Sequence, residues 1–593
     1  MQSGLTHLDY IIFATYVLII VFFGLWFSRT KKGEEKSSND YFLASRSLTW
    51  WVIGGSLIAS NISAEQFIGM SGSGYAIGLA IAAYEWIAAV ALIIVGKYFL
   101  PIFLNKKIYT MPQFLTMRFD KRVSTSLAVF FLLLYVFVNL TSVSYLGALA
   151  ILKINGFSQD YLVYIIILLF CLASLLSLWG GLKSVAYTDI IQVIFLIGGG
   201  LVTSYAGLTA VAAKFGGSGF IDGLKILYDK APLKFDLILS PDNPQYHNLP
   251  GIAVLLGFML LTNIGYWGLN QFIIQRGLAA KSINEARRGV IFAGYLKLLI
   301  PLIVVIPGII VFVSGADIAK PDEAYPWLLR NYVPMGIRGL TLAALIAAIV
   351  STLASLINST STIFTLDIFR NYFNNNASEH VLVRTGRISG LAAVLIATMT
   401  APMLTSLDQA FQYIQEFTGF IYPAIIVIYF IGLFWKQATS IAALWVAIIC
   451  LPLSVALKFI YPDLPFMDRM GFVFIMLSVI AVVVSLADNK NKITSALPDT
   501  INIRKLNWIG FSMIGIGVIM VAASLFIYRL NAIYVTASLL ILLGFMIVGN
   551  ANVGLVDPKN IDVKSEWFKT SWEFNILSLG ICSILFVLYY FLH

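Results

Sequence analysis

The chain has 593 residues, of which 59% are hydrophobic and 11% are charged. A soluble core of this length cannot bury that much apolar surface, so the composition excludes an ordinary soluble enzyme. The formal net charge is +10, but the 39 Lys and Arg residues lie mostly between apolar stretches, which is typical of membrane proteins. We therefore expect a polytopic all-α membrane protein that has the lipid bilayer as its partner and binds no nucleic acid.

Sixteen apolar stretches are long enough to cross a bilayer as helices, at about 20 residues each. They are predicted near 9–27, 50–73, 76–104, 123–152, 158–178, 187–212, 250–275, 289–315, 337–369, 382–402, 407–435, 438–459, 470–487, 506–528, 531–550 and 573–592. With the N-terminus outside, the cytoplasmic connections hold 26 Lys and Arg and the external ones hold 11. The positive-inside rule therefore predicts that both termini lie outside the cytoplasm.

Two of these predicted spans contain small and polar residues at mid-membrane depth. The second includes Ile58 to Gln66, and the seventh includes Thr262 to Asn270. The two stretches lie five spans apart, and an odd repeat reverses orientation, so they form an inverted pair of broken helices. Such pairs indicate a binding site at the membrane midplane, because their free backbone groups can hold a cation or a polar solute.

Ionisable and amide side chains in other spans extend this predicted site. Glu85 is in the third span, Lys297 in the eighth and Gln415 in the eleventh. A carboxylate, an ammonium and amides can pair with the hydroxyls of a hexose, and Tyr266 and Trp267 can stack on its apolar face. The alternative is structural: Glu85 and Lys297 form a buried ion pair, and the amides cap the broken helices.

Adjacent hydroxyls in the ninth span, Ser351 and Thr352, suggest a sodium site. Sodium prefers hard oxygen ligands, and two hydroxyls together with the free carbonyls of a broken helix would form a cage for it. The alternative is that both hydroxyls bond back to the backbone of their own helix.

The chain resembles the sodium/solute symporter family over about residues 8 to 488, and within it the bacterial members that carry galactose or glucose. The resemblance rests on Ser60 to Gly72, Tyr84 to Trp86, Gly180 to Leu182, Thr188, Asp189 and Gln192, Tyr266 to Gly268, and Ala410 to Glu416. It implies a LeuT-like core of two inverted five-helix repeats with peripheral helices. It also implies import of a hexose with sodium by alternating access, with one sodium per sugar.

The resemblance assigns roles to individual positions. The solute-binding residues would be Asn61, Gln66, Glu85, Asn263, Lys297 and Gln415. The gates would be Met70, Tyr84 and Phe411 on the outer side and Tyr266, with Trp267 beside it, on the inner side. Sodium would bind the carbonyl oxygens of Ala59, Ile62 and Ala348 and the hydroxyls of Ser351 and Thr352, with Asp189 taking part in sodium release.

Two departures from the sugar-transporting relatives affect the choice of solute. Ala88 replaces a serine one turn after Glu85, and Gly265 replaces an aromatic residue beside the gate tyrosine. Another polar solute on the same scaffold, such as myo-inositol, another polyol or an acidic sugar, is therefore the alternative. A transporter-like sensor is a further alternative, although no signalling module is visible. No P-loop and no membrane histidine are present, so we expect neither an ATP-driven pump nor an enzyme.

The predicted domain division follows the repeats. It consists of an N-terminal extra helix and cytoplasmic loop (1–49), a first repeat (50–212), an external loop (213–249), a second repeat (250–435), peripheral helices (436–487) and C-terminal helices (488–593). The last part includes an added hairpin near 506–550, to which we assign no transport role. We expect a bacterial inner-membrane protein, and the sequence leaves its oligomeric state open, with a monomer as one option.

Overall fold

The computed structural model describes residues 6–27, 43–251, 254, 258–406, 410–489, 500–526, 531–552 and 563–592. Within these ranges the regular structure is helical, and an isolated bridge between Leu48 and Ala280 is the β-type pairing found there. The prediction of an all-α protein is therefore confirmed for the described part of the chain.

Nine helices form before residue 250 and thirteen after it within the described ranges. The first group is α1 (His7–Phe27), α2 (Trp50–Asn61), α3 (Ser71–Ala76), α4 (Leu79–Asn105), α5 (Met111–Arg118), α6 (Lys121–Asn155), α7 (Gln159–Ser177), α8 (Gly180–Lys214) and α9 (Gly219–Lys230). The second is α10 (Phe258–Leu269), α11 (Gln271–Leu278), α12 (Ile283–Val313), α13 (Ala324–Tyr332), α14 (Ile337–Phe373), α15 (Glu379–Thr405), α16 (Ala410–Gly419), α17 (Tyr422–Phe434), α18 (Ser440–Ile460), α19 (Phe466–Asn489), α20 (Thr500–Phe526), α21 (Asn531–Asn552) and α22 (Trp572–Phe591).

Eleven of the described helices contain a segment long and apolar enough to cross a membrane alone. The pair α16 and α17, bent by 44° at the break between them, makes a twelfth span. The protein is therefore a multi-pass membrane protein. The difference from the sixteen predicted spans has a physical origin, since a broken span fails a test for one continuous helix, and α1 and α21 contain shorter apolar segments.

Both interruptions fall inside the polar stretches that the sequence singled out. After α2, Ile62 takes an extended conformation (φ −82°, ψ 107°), and a π-helical turn over Glu65–Met70 leads into α3. After α10, Asn270 is likewise extended (φ −82°, ψ 121°) before α11 begins. Each interruption leaves backbone groups outside the regular helical hydrogen-bond pattern in the interior of the protein.

The long helix α12 holds the first broken helix in place by packing against α2, α3 and α4. Gly308 on α12 lies against the Ser71 carbonyl and the Tyr75 amide of α3, and a Cβ at this position would overlap both. Glycine therefore permits the close approach of α12 to α3.

The predicted C-terminal hairpin is formed by α20 and α21, which pack on each other through Gly510 and Gly544. The α21 helix also contacts α19, and its Asn550 side chain bonds to the backbone at the end of α17. Asn550 Nδ2 donates to the Phe434 carbonyl at 2.5 Å, and its Oδ1 accepts from the Lys436 N–H at 2.7 Å. The hairpin is thus a peripheral element attached to the end of α17.

Candidate functional site

One cavity lies between the two broken helices and is completed by α4, α12 and α16. It has an empty volume of about 690 Å³, including its opening to solvent. All the predicted solute-binding and gate residues line it: Asn61, Gln66, Met70, Tyr84, Glu85, Asn263, Tyr266, Trp267, Lys297, Phe411 and Gln415. The structure therefore brings together side chains from positions 61 to 415 of the chain.

Lys297 on α12 is the centre of the polar wall of this cavity. Its ammonium donates to Asn61 Oδ1 and to the Glu85 carboxylate, with which it forms an ion pair. The same ammonium lies 5.0 Å from the centre of the Trp267 ring. Lys297 and Glu85 are both buried, so the buried ion pair that was the structural alternative is present. Because it lies on the cavity wall, solute hydroxyls can also reach both charges.

Asn61 and Tyr266 connect the two broken helices directly. The Asn61 Nδ2 donates to the Tyr266 hydroxyl at 3.1 Å. The Tyr266 ring has two edge-to-face neighbours, Trp267 at 5.4 Å and Phe272 at 5.8 Å between ring centroids. This aromatic group therefore links α10 and α11 across the break and holds the tyrosine at the cavity.

Two further amides each use one polar atom for a local bond. Gln66 Oε1 accepts from the Ser63 N–H at 3.0 Å, and Asn263 Nδ2 donates to the Met259 carbonyl at 3.1 Å. Both residues line the cavity, so Gln66 Nε2 and Asn263 Oδ1 can serve a solute as donor and acceptor.

A second hydrophobic group covers the cavity beside α3 and α16. The rings of Tyr84 and Phe411 meet edge to face with centroids 5.2 Å apart, and Met70 is fully buried and lines the same cavity. Gly69 lies against the Cβ of Phe411, where a side chain on the glycine would not fit. The three predicted outer-gate residues thus line one cavity, and the rings of two of them are in contact.

The hydroxyls of Ser351 and Thr352 on α14 reach two other helices. Thr352 Oγ1 donates to the Ser60 carbonyl at the end of α2, at 3.1 Å, and Ser351 Oγ donates to Asp189 on α8. The two hydroxyls therefore do not bond back to the backbone of their own helix, which was the alternative to a sodium site. A hydroxyl that donates its proton keeps its oxygen lone pairs for a cation, so both residues remain suitable sodium ligands.

Asp189 is fully buried and joins four helices. It accepts from the Ser56 and Ser351 hydroxyls, and Arg276 Nη2 on α11 lies 3.6 Å from its carboxylate. Arg276 Nε in turn donates to Ser56 Oγ at 2.9 Å, and Nη2 donates to Ser355 Oγ at 2.5 Å. This network therefore connects both broken helices to α8 and α14, next to the predicted sodium ligands.

Sequence reasoning missed Arg276 because the arginine was counted as a charge of a cytoplasmic connection, whereas it is fully buried on α11. It also assigned no role to eight further residues of the cavity: Glu65, Asn139, Met259, Thr262, Asn270, Ile414, Thr418 and Tyr422. Three of them, Glu65, Thr262 and Asn270, lie within the polar stretches of the broken helices. Asn139 had a usable signal as an amide inside an apolar span.

The family model described as "Sodium:solute symporter family" matches residues 41–450. The chain belongs to this family. A sodium/glucose cotransporter of Vibrio parahaemolyticus is 49% identical over 507 residues, which cover 83% of this chain and 92% of that protein. Sodium/myo-inositol cotransporter 2 of Sus scrofa is 33% identical over 498 residues, which cover 78% of this chain and 72% of that protein.

A solved structure of a Na⁺-coupled sialic acid symporter, in a substrate-bound outward-open state, has the same fold. It aligns with a TM-score of 0.70 at 22% identity and covers 81% of this chain and 98% of that one. As a member of the sodium:solute symporter family, the chain is a transporter and not an enzyme, and sodium is its coupling ion. The resemblance noted in the sequence is therefore confirmed.

Proposed function

We propose that the protein imports a hexose, glucose or galactose, together with one sodium ion. The observation that carries this proposal is the cavity wall, where Lys297 joins Glu85 and Asn61 beside the Trp267 ring. Charged and amide groups next to an aromatic face suit a ring of hydroxyls with an apolar face. The 49% identity to a protein named a sodium/glucose cotransporter supports the same solute class.

In the proposed cycle, sodium binds between α2 and α14. It joins the carbonyls of Ala59, Ile62 and Ala348 to the hydroxyls of Ser351 and Thr352, and so favours the conformation with a formed sugar site. The sugar then binds, and its hydroxyl groups replace part of the bonds that Lys297 makes to Asn61 and Glu85. Both ligands bias the same conformational equilibrium, which is the physical requirement for coupled transport.

The two gates then act in sequence. Met70, Tyr84 and Phe411 close over the sugar, and Tyr266 with Trp267 moves away on the opposite side to release it. Sodium leaves past Asp189, whose carboxylate is connected to Ser351. One sodium crossing 100 mV gains about 2.3 kcal/mol, and a tenfold gradient adds about 1.4 kcal/mol, which sustains roughly 500-fold accumulation of sugar.

For the topology we propose sixteen spans with inverted repeats at 50–212 and 250–435. The four spans beyond those found as long or bent helices would be α1, α21 and the broken pairs α2–α3 and α10–α11. The similar extended residues after α2 and α10 support the pairing of the two breaks. The excess of Lys and Arg in alternate connections supports outside termini in a bacterial inner membrane. One chain contains the whole cavity, so the proposed transport does not require an oligomer.

Uptake of a polyol such as myo-inositol is the second candidate. It is supported by the cavity wall at Gly265, where the glycine leaves room for the Tyr422 ring, which lines the cavity. Ala88, one turn after Glu85, is buried and offers no hydroxyl. The identity to a sodium/myo-inositol cotransporter supports the same candidate.

The test is uptake of labelled glucose, galactose and myo-inositol into proteoliposomes, with an inward gradient of sodium or of potassium. We expect sodium-dependent uptake of a hexose that is lost in Gln66→Ala. The matched control Gln159→Ala, the same substitution at an exposed position at the start of α7, should keep wild-type uptake. Uptake of myo-inositol alone would select the second candidate, and equal uptake in both salts would refute sodium coupling.

A further inference from the structure

Two short helices cover the cavity on the side of Tyr84. The α3 helix follows the turn that carries Met70, and α16 begins next to Phe411. Each has one end at a connection that the proposed topology places outside the cell. At each of these ends a charged side chain from an external segment bonds to the helix backbone.

Lys234 reaches the C-terminal end of α3 from the external segment after α9. Its Nζ donates to the carbonyls of Tyr75 and Ala76, at 2.9 and 2.6 Å. The same Nζ lies 4.4 Å from the centre of the Phe312 ring on α12. Burial lowers the pKa of Lys234 to about 8, so the ammonium form still predominates at neutral pH.

Asp322 reaches the N-terminal end of α16 from the short turn before α13. Its Oδ2 accepts from the N–H of Ala410 at 3.0 Å, and the residue is buried. Asp322 also lies against Gly72, where a Cβ on the glycine would overlap its carboxylate. The same turn is held by an ion pair between Glu323 and Lys153 on α6, at 2.8 Å.

The signs of these charges match the helix ends. A helix C-terminus carries partial negative charge and attracts an ammonium, and an N-terminus carries partial positive charge and attracts a carboxylate. The contact of Asp322 with both Gly72 and Ala410 also joins α3 to α16. Both capping segments are held by other parts of the protein. The Leu237 N–H donates to the Leu592 carbonyl at 3.1 Å, and Lys153 pairs with Glu323.

We propose that Lys234 and Asp322 are positioning residues for transport, which together form an external latch holding α3 and α16 over the occupied cavity. The proposal rests on the proposed import function and orientation. In the outward-open state α3 and α16 separate, and the contact of Asp322 with both helices is lost. The latch therefore stabilises the outside-closed conformation relative to the outward-open one.

The latch predicts a particular change in kinetics. In Lys234→Met and Asp322→Ala, the outward-open state becomes more populated, so KM for external solute falls while the turnover rate falls as well. We expect a change of about threefold to tenfold in each variant. Lys234→Arg keeps a cationic donor and should restore part of the turnover. Loss of folded protein alone would lower the maximal rate and leave KM unchanged.

Accessibility provides the second readout. In a background with Cys171, Cys450 and Cys582 changed to alanine, Thr418→Cys places a thiol at the cavity wall. A membrane-impermeant maleimide added outside should label it several times faster when Lys234→Met or Asp322→Ala is also present. The matched controls are Lys225→Met and Asp317→Ala, which remove exposed external charges.

The outcomes separate the latch from the proposed function. Unchanged KM and unchanged labelling in both latch variants, with sodium-dependent uptake intact, would overturn the latch alone. Faster labelling from the cytoplasmic side only would overturn the orientation and, with it, the external position of the latch. Absence of uptake in the wild type would refute the import function instead.

Discussion

Two buried ion pairs lie near the broken helices, and their surroundings differ. Lys297 and Glu85 lie on the wall of the cavity, where the other partners of the lysine are the Asn61 amide and an aromatic face. Arg276 and Asp189 lie outside the cavity lining, and their other partners are serine hydroxyls and the Phe272 carbonyl. The first pair therefore faces the cavity, and the second does not.

The difference shows how similar charges acquire different roles. A buried charge is costly unless it is paired, so removing one partner of either pair would destabilise the protein. The cavity pair is accessible to hydroxyl groups, which suits solute recognition. The enclosed pair shares Ser351 with the predicted sodium site, which suits a connection between ion and conformation. We therefore expect mutations in the two pairs to change different kinetic constants.

The largest effect is expected for Lys297→Met. The substitution leaves the Glu85 carboxylate buried without its cation and removes a donor from the cavity, so solute uptake should fall by about 100-fold or more. Uptake and solute binding by purified protein measure this effect. The double variant Lys297→Met with Glu85→Leu removes the unpaired charge and serves as the folding control. We expect the double variant to fold and still not to transport the solute. Normal uptake by the double variant would show that the ion pair serves only the structure.

Asp189→Asn tests the enclosed pair. The change keeps the shape of the side chain but leaves Arg276 without its counter-charge, so the sodium concentration for half-maximal uptake should rise about tenfold. The KM for solute at saturating sodium should stay close to the wild-type value. Sodium titrations of uptake measure both quantities. If instead the solute KM rises about tenfold and the sodium dependence does not change, the enclosed pair does not differ from the cavity pair in the constant that it affects.

A smaller effect on sodium is expected for Thr352→Val. This nearly isosteric change removes the hydroxyl that donates to the Ser60 carbonyl and the oxygen proposed to bind sodium. We expect the half-saturating sodium concentration to rise about fivefold to tenfold. Thr362→Val on the same helix, whose hydroxyl bonds to its own backbone at Asn358, is the matched control. Equal sodium dependence in both variants would argue against Thr352 as a ligand.

The smallest effect is expected for Tyr266→Phe. The ring and its contacts with Trp267 and Phe272 remain, and the variant loses the hydroxyl that accepts from Asn61. One neutral hydrogen bond contributes about 1 kcal/mol, so transport should change by about fivefold. Tyr266→Ala, which removes the aromatic gate as well, should have a larger effect. If Phe and Ala behave alike, the hydroxyl rather than the ring determines the role of this residue.

The sequence predicted the features that depend on local chemistry. The breaks after Asn61 and Leu269 follow from small and polar residues at mid-membrane depth, which cannot face lipid as a continuous helix. Glu85 and Lys297 followed from the cost of isolated charges in a span. The exact assignment of the cavity residues came from the resemblance, because residues as distant as Gln66 and Gln415 share no local pattern.

Features that depend on how the helices pack could not be predicted from the sequence. Arg276 follows a break, so its burial depends on where α11 lies after the turn at Asn270, which no periodicity reveals. Lys234 and Asp322 lie in polar connections, where charged residues are ordinary. Their contacts with α3 and α16 arise only when distant segments meet. The roles of the cavity residues and of the sodium ligands remain predictions that the kinetic variants test.

Sodium-linked solute binding tests the central claim most directly. The affinity of purified wild-type protein for labelled glucose or galactose would be measured over a range of sodium concentrations, with potassium held as the balancing ion. If both ligands favour one conformation, sodium should raise the solute affinity by about 5- to 150-fold, and solute should raise sodium affinity by the same factor. A solute affinity that is equal in sodium and in potassium would contradict the account.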